Sequence, residues 1–480
     1  MKNKHLLIIL FTLLPFITFS QDGTPDLSFG NNGIVETDID NGWDFAWEIA
    51  QQTDGKLLIG GEGEFEGIGY TILARYLVDG SLDTSFGANG MILSDFFGFN
   101  MIEFQESNKI LTGIHYGGNM GGFELIRFFE DGLLDSSFGT NGEISLTSTT
   151  ESYKSLQMLN DGNFLISGET TNSPSEIKIT RFLQNGDIDN SFGTSGSVTT
   201  LIGNENNFAG TMEVTDSNHF FVLCKTTVVE SSQYFLLKYL PDGNLDTSFG
   251  IDGIADIPGD ETSCSFKLTT NGKIVVRCSN EDSKYFLRLL ANGMLDTSFG
   301  NNGSFNYTFP FNGYLVQENQ RIIVYGNGWD PFEGGGYLEM RRYFEGGTID
   351  TGFNFNNNYV ELNNSRAIIQ YDGKITVVGS SMWYNGGPDF ALLRYNNNPL
   401  GIEEQQLYKI SVYPNPSNGI FNIQHDVLTA ETQYQVTDVL GKIITTGYLK
   451  NNQTEINLTA VKSGVYFLNA SNKTIKLIKN

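Results

Sequence analysis

Short apolar segments alternate with turn-forming pairs along most of the chain. Between Trp47 and Gly87 the order is WEIAQQ, an Asp54-Gly55 turn, KLLIGG, a polar loop, YTILARYLV, an Asp79-Gly80 turn and SLDTSFG. Alternation and β-branched content mark such segments as strands, and Asp-Gly supplies the positive φ that a tight hairpin needs. Four segments, with SLDTSFG as the last, predict a four-stranded sheet. The third segment returns as LIRF from Leu125, ITRF from Ile179, LLKY from Leu236, FLRL from Phe286, MRRY from Met340 and LLRY from Leu392.

The motif around SFG sets the period. Its Phe stands at Phe29, Phe86, Phe138, Phe192, Phe249, Phe299 and, in a degraded TGFN copy, Phe353, spaced 50 to 57 residues apart. Seven markers at this spacing predict a seven-bladed β-propeller, whose blades are four-stranded sheets of about 40 to 50 residues. The last period ends at LLRYNNN without the motif, while Thr24 to Gly30 carries an orphan copy, TPDLSFG. The N-terminal segment is therefore expected to give the seventh blade its outer strand, closing the ring without an exposed edge.

Strand order also sorts the loops. Turns between strands one and two, and between three and four, lie on one face and are short. Loops between strands two and three lie on the other and vary: EGEFEGIGY from Glu62, HYGGNMGGF from His115, GNGWDPFEGGGY from Gly326 and SSMWYNGGPDF from Ser380. Unrepeated aromatics and an acid in them, Tyr116, Trp329, Asp330, Trp383 and Tyr384, are the candidate ligand-binding residues. Exposed aromatics stack on sugar rings while acids take hydroxyls; the alternative is that they cover the blade ends.

Repetition argues against chemistry in the motif itself. Asp83, Asp135, Asp189, Asp246 and Asp296 read either as Ca²⁺ ligands or, as we favour, as turn formers whose carboxylates accept backbone N–H groups. The recurrent cation, from Arg75 to Arg394, reads as structural. A two-residue Asp79-Gly80 turn sets Tyr76 rather than Arg75 opposite Asp83, so no direct pair is expected. Catalytic residues, a metal site and a cofactor are not assigned: no GxSxG elbow appears, and His115 and His219 stand in different periods. Paired carboxylates for glycoside hydrolysis stay open.

The chain has 480 residues and a formal net charge of −26, which argues against nucleic acid as a partner. Residues 1–20, MKNKHLLIILFTLLPFITFS, pair two lysines with a short apolar run and read as a secretory signal peptide. No later segment is apolar enough to span a bilayer as a helix. Of three cysteines, Cys264 and Cys278 flank an Asn271-Gly272 hairpin and are read either as a disulfide or as buried thiols.

After Asn398 the repeat stops. Residues 399–407 form a polar linker, and from Gln405 onward 7 Lys meet 4 acids, a reversal of the acidic balance before it. Residues 408–480 predict a small immunoglobulin-like β-sandwich, with Pro414 and Pro416 at a turn.

The pattern of DG, LDxSFG and NG resembles the delta-60 repeat family of bacterial secreted and surface proteins over residues 21–398. The segments VYPNPSNGIFNI, VTDVLGKII, LTAVKSGVYFL and KLIK resemble the type A C-terminal sorting domain of the type IX secretion system of Bacteroidetes. That likeness implies a translocon and sorting machinery as partners, passage through the periplasm and a destination at the cell surface or outside the cell. The expected function is a binding or adhesion module for glycan or protein; the rival is a secreted polysaccharide-degrading hydrolase using acids on the variable-loop face.

Overall fold

The computed structural model describes residues 22–94, 99–115, 122–147, 151–228, 231–259, 262–280, 283–309, 311–329, 336–356, 362–381, 387–397, 411–424, 432–438, 442–449, 453–470 and 473–480. Apart from one 3₁₀ turn at Glu106–Asn108, all regular structure in them is β. The chain divides into two compact units, one ending at Asn397 and one beginning at Asn398.

The first unit holds seven successive antiparallel sheets. The first consists of Asp44–Gln51, Leu57–Phe65, Ile68–Tyr76 and Met91–Ser94, in sequence order. The next four repeat this order, and the sixth has three described strands, Gly313–Val316, Ile322–Trp329 and Gly336–Tyr343. The seventh takes Leu362–Ile369, Ile375–Ser381 and Phe390–Tyr395 from the end of the unit and its fourth strand, Ile34–Thr37, from the beginning. The N-terminal segment thus supplies the outer strand, as expected from the orphan motif.

Each sheet is apolar on both faces, so each must be covered twice. Seven clusters of buried side chains do this, each drawn from two successive sheets. The cluster of Phe29, Ala46 and Ile49 with Val378, Phe390 and Leu392 joins the seventh sheet to the first.

The structure corrects two details of the expected repeat. SLDTSFG is not itself the fourth strand: Leu82 makes a single bridge to Tyr76, the chain turns, and the strand follows the NG at Met91–Ser94. The register also differs. Leu77 N–H donates to Ser81 O at 2.8 Å, so the loop holds three residues, not two, and Arg75 comes to face Asp83. Arg75 Nε donates to Asp83 Oδ2 at 2.9 Å.

This pair recurs in every sheet as a clasp. Arg127, Arg181, Arg288, Arg342 and Arg394 donate through Nε to Asp135, Asp189, Asp296, Asp350 and Asp26 at 2.7–2.9 Å, and Lys238 meets Asp246 at 2.8 Å. The other carboxylate oxygen accepts the N–H and hydroxyl of the Ser two residues on, as Asp83 does from Ser85. Each guanidinium lies 4.3–4.8 Å from the centre of the motif Phe. The TGFN copy keeps the arrangement, with Gly352 N–H on Asp350 in place of the serine.

The clasp also reaches its neighbour. Arg75 Nη1 donates to Glu130 O in the next sheet's turn, Arg181 Nη1 to Pro241 O at 2.9 Å, and Arg394 Nη1 to Val78 O at 2.7 Å. The turn glycine is fixed by the same contact: Gly80 has φ +90°, and a Cβ there would lie 2.9 Å from the Phe29 ring. Positive φ and close approach together explain why the Asp-Gly turn recurs.

The second unit packs a three-stranded sheet, Ser411–Tyr413, Ile420–Gln424 and Gln453–Asn457, against a four-stranded one, Ile443–Leu449, Thr432–Asp438, Gly464–Ala470 and Lys473–Lys479. Phe421, Ile423, Val436, Ile456, Leu468 and Leu477 form their shared core. Asn415 bonds the carbonyl of Lys476 and the N–H of Ile478, which pins the Pro-rich turn to the C-terminal strand.

Candidate functional site

The repeated acids are occupied. Asp26 is opposed by burial but held by the Lys374 ammonium, Ser28 and the Arg394 charge, which bring it down to about 2. Asp135 and Asp296 are likewise buried, yet Lys109 with Ser137, and Ser298 with Lys273, keep both well below the usual carboxylate range. These are turn-forming carboxylates bonded within their own sheets, in line with the structural reading of the repeat.

Unrepeated polar groups lie elsewhere, along the innermost strands. In each sheet this strand ends where a backbone N–H closes the first turn, at Gln52, Gln105, Leu159, Thr215, Thr269, Gln317 and Gln370. Two residues earlier, at one level around the ring, stand Ala50, Glu103, Gln157, Glu213, Lys267, Leu315 and Ile368. Side chains in a strand alternate, so residues two further back share their face; these include Glu48 in the first sheet and Arg366 in the seventh.

The level is polar across the second to fifth sheets and apolar across the sixth, seventh and first. Gln157 Nε2 donates to Glu103 Oε1 at 3.3 Å, and Lys267 Nζ meets Glu213 Oε1 at 2.7 Å, each bond linking neighbouring sheets. Glu213 Oε2 also accepts the Leu268 N–H at 2.6 Å. Burial pushes Glu103 up to about 8, the Glu48 charge adding to it and Lys267 opposing it. Glu48 is likewise raised by burial, against the attraction of Arg366 and Lys267. Lys267 of the fifth sheet thus acts on acids of the first and second, across the axis.

A second unrepeated group sits at the variable-loop end, where the seventh sheet meets the first. Asp38, Asp44 and Asp389 each place one carboxylate oxygen within 4.8 Å of the others. Asp44 is fully buried; desolvation, with the Ile39 N–H opposing and the Asp389 and Asp38 charges adding, moves it to about 7. Asp44 Oδ2 accepts from Ile39 at 2.7 Å, and its N–H donates to Pro388 O at 2.6 Å, so this acid also ties the two sheets together.

Of the residues singled out by the sequence, Tyr116, Asp330, Trp383 and Tyr384 lie outside the described residues. Trp329 ends the strand Ile322–Trp329, which places its backbone at the start of the variable loop. Cys264 and Cys278 face each other across a hairpin and are joined in a disulfide, leaving Cys224 as a buried thiol. The axial groups Glu48, Glu103, Gln157, Glu213, Lys267 and Arg366 are not among the residues the sequence singles out. Aligning the periods on their first turns finds most of them, as polar residues in one column of otherwise apolar strands.

Comparison with known proteins agrees with this division. Residues 52–86, 159–192, 226–249, 269–299 and 370–398 match a domain of unknown function, DUF5122, described as a β-propeller. Residues 411–480 match the secretion system C-terminal sorting domain. The chain carries DUF5122 β-propeller repeats and ends in a type IX sorting domain. Proteins with this tail are exported by type IX secretion to the cell surface or extracellular space, and so is this one.

Solved structures are only distantly similar. A polysaccharide lyase, Uly1, is 11% identical with a TM-score of 0.44, over 73% of this chain and 89% of that one. A protein of unknown function from Dyadobacter fermentans is 9% identical with a TM-score of 0.39, over 76% and 100%. PorZ, a surface component of the type IX system of Porphyromonas gingivalis, is 13% identical with a TM-score of 0.27, over 95% and 71%. No curated protein sequence matches the chain.

Proposed function

We propose that this chain is an exported binding or adhesion propeller that takes a glycan or protein ligand on its variable-loop face. The seven sheets are read as seven blades of residues 21–398, closed by the N-terminal strand. Residues 399–407 serve as linker, and residues 408–480 form an immunoglobulin-like sorting sandwich. Residues 1–20 direct the first crossing, of the inner membrane. One observation carries the binding reading: the repeated ion pairs are consumed in clasps, so the chemistry left for a ligand is unrepeated and lies on the axis and the loop face.

Tyr116, Trp329, Asp330, Trp383 and Tyr384 are the proposed contacts. Aromatic faces stack on sugar CH groups while polar groups fix hydroxyls. Glycan-array binding by the secreted chain should be lost in Trp329→Ala and Trp383→Ala; an intact chain that binds no glycan and no surface protein would refute a binding role. Deleting residues 408–480 should strand the protein in the periplasm, and undiminished surface display would refute the sorting role.

A hydrolase is the second reading, and Glu103 favours it. A general acid must hold its proton at working pH, and Glu103 is pushed to about 8. Release of reducing sugar from polysaccharides by culture supernatant, abolished in Glu103→Gln, would turn the assignment to catalysis.

A further inference from the structure

Three carboxylates meet where the seventh sheet joins the first. Asp38 follows the N-terminal strand Ile34–Thr37, Asp44 opens the first strand of the first sheet, and Asp389 directly precedes Phe390–Tyr395 of the seventh. One oxygen of each lies within 4.8 Å of the others. The charges acting on Asp44 are those of Asp389 and Asp38, and the charges acting on Asp389 are those of Asp38 and Glu36, all of one sign. Asp44 also keeps an oxygen unused. Its Oδ2 takes the Ile39 N–H, whereas Oδ1 is buried and accepts no hydrogen bond, the nearby Glu64 N–H being bonded to Trp43 O at 3.1 Å. A buried acceptor without a donor is costly, so this group favours a partner that carries positive charge.

The junction of the third and fourth sheets shows a version that satisfies itself. Ile202 N–H donates to Asn207 Oδ1 at 2.7 Å, as Ile39 does to Asp44. Asn207 N–H donates to Ser175 O at 3.0 Å, as Asp44 does to Pro388 O at 2.6 Å. Glu176 N–H donates to Thr170 Oγ1 at 3.0 Å, as Asp389 does to Ser381 Oγ at 3.1 Å. The two frames match in these bonds, but Asn207 stands in the place of Asp44 and Leu201 in that of Asp38. Asn207 Nδ2 then donates to the Ile202 and Glu205 carbonyls at 3.2 and 2.7 Å. An aspartate in that place adds a negative charge and removes both donors, and a bound cation restores the missing positive charge.

The donors are all carboxylate oxygens, with no histidine or cysteine among the described members of the group, which favours a hard cation. Carboxylates carried on separate loops suit the larger and more pliable shell of calcium better than the strict octahedron of magnesium. Asp38 is exposed and Asp389 half-buried, so an ion reaches the group from solvent. We propose that Asp38, Asp44 and Asp389 bind one calcium ion, which ties the N-terminal segment and the seventh sheet's variable loop to the first sheet. This site does not depend on the ligand of the loop face.

Titration calorimetry of the full secreted chain, freed of metal with EDTA, tests it with calcium and magnesium chloride. One saturable calcium site is expected, with a dissociation constant on the order of 0.1–1 mM, and magnesium should bind about tenfold more weakly. Saturating calcium should raise the melting midpoint by about 2 °C. Asp44→Asn installs the side chain that Asn207 already holds in the matching frame. It should weaken calcium by about tenfold or more, yet melt in EDTA no lower than the wild type. Asp389→Asn should weaken calcium likewise, whereas Asp256→Asn, at an exposed position on the fourth sheet, should not. No saturable calcium heat, or wild-type affinity in Asp44→Asn, overturns the site. An equal loss in Asp256→Asn also overturns it, by showing that calcium answers only the net charge of −26. Equal affinity for the two ions overturns the choice of calcium.

Discussion

The rim of the ring and its axis use the same residue types to opposite ends. At the rim, Arg75 and its counterparts sit on aspartates, stack on phenylalanines and reach the next sheet's turn, so charge is matched locally. At the axis, Glu103 and Glu48 are held away from their preferred ionised state, and Arg366 has no carboxylate bonded to it among the described residues. Identical neighbours allow one solution to be repeated at the rim; on the innermost strands the residue changes from sheet to sheet, glutamate alone occurring twice, so no single pairing can be repeated.

Breaking the rim should cost most at its closing point. Arg394 and Asp26 are both buried, so Arg394→Ala leaves a buried carboxylate with only Lys374 and Ser28. Removing one partner of such a pair costs about 3–5 kcal/mol, here toward the lower figure. Chemical denaturation should show this loss, together with loss of protection in Ile34–Thr37. A native-like midpoint would mean that the N-terminal strand is not what closes the ring.

The fourth sheet is where the rim is weakest. Lys238 replaces arginine, and its ammonium stands 6.0 Å from the Phe249 ring centre, farther than any of the guanidiniums from theirs. The adjoining fifth sheet carries the Cys264–Cys278 disulfide, closing a loop with a sequence separation of 14. Reduction, or Cys278→Ser in Cys264→Ser background, should cost about 3 kcal/mol by loop entropy.

Glu103→Gln sharpens the contrast through pH. Its carboxyl titrates near the ordinary value of 4.5 when unfolded and at about 8 when folded. As pH rises through that window the unfolded chain loses the proton first, so the wild type loses stability relative to the variant, and the difference levels off above about 8. Asp26, lowered to about 2, behaves in the opposite sense: its contribution is complete above 3.8 and lost as pH falls through about 2. Thermal melts of wild type and Glu103→Gln from pH 4 to 9 check the sign. The smallest effect is expected from Lys238→Arg, which adds a guanidinium reach to the fifth sheet's turn and should gain about 0.5–1.5 kcal/mol.

Periodicity makes the rim legible in the sequence. Seven phenylalanines, seven cations and the orphan motif specify sheets, order and closure, because a repeated contact leaves a repeated residue. Register is harder to read at Asp79-Gly80, because a three-residue loop and a two-residue loop share the same Asp-Gly ending, and the one-residue difference decides whether Arg75 or Tyr76 faces Asp83. The axis escapes a reading of the sequence for a related reason. Glu103, Gln157, Glu213 and Lys267 fall in one column when the periods are aligned on their first turns, but no shared residue marks that column, and the bonds between its members show only when the sheets are set side by side.

Melting midpoints of matched rim and axis substitutions test this division of labour most directly. Arg75→Ala, Arg288→Ala and Arg394→Ala should each lower the midpoint by several degrees, while Gln157→Ala, which loses a long bond to Glu103, lowers it by much less. Axis substitutions that destabilise as much as rim substitutions would contradict it, by showing that the unrepeated groups hold the ring together as well.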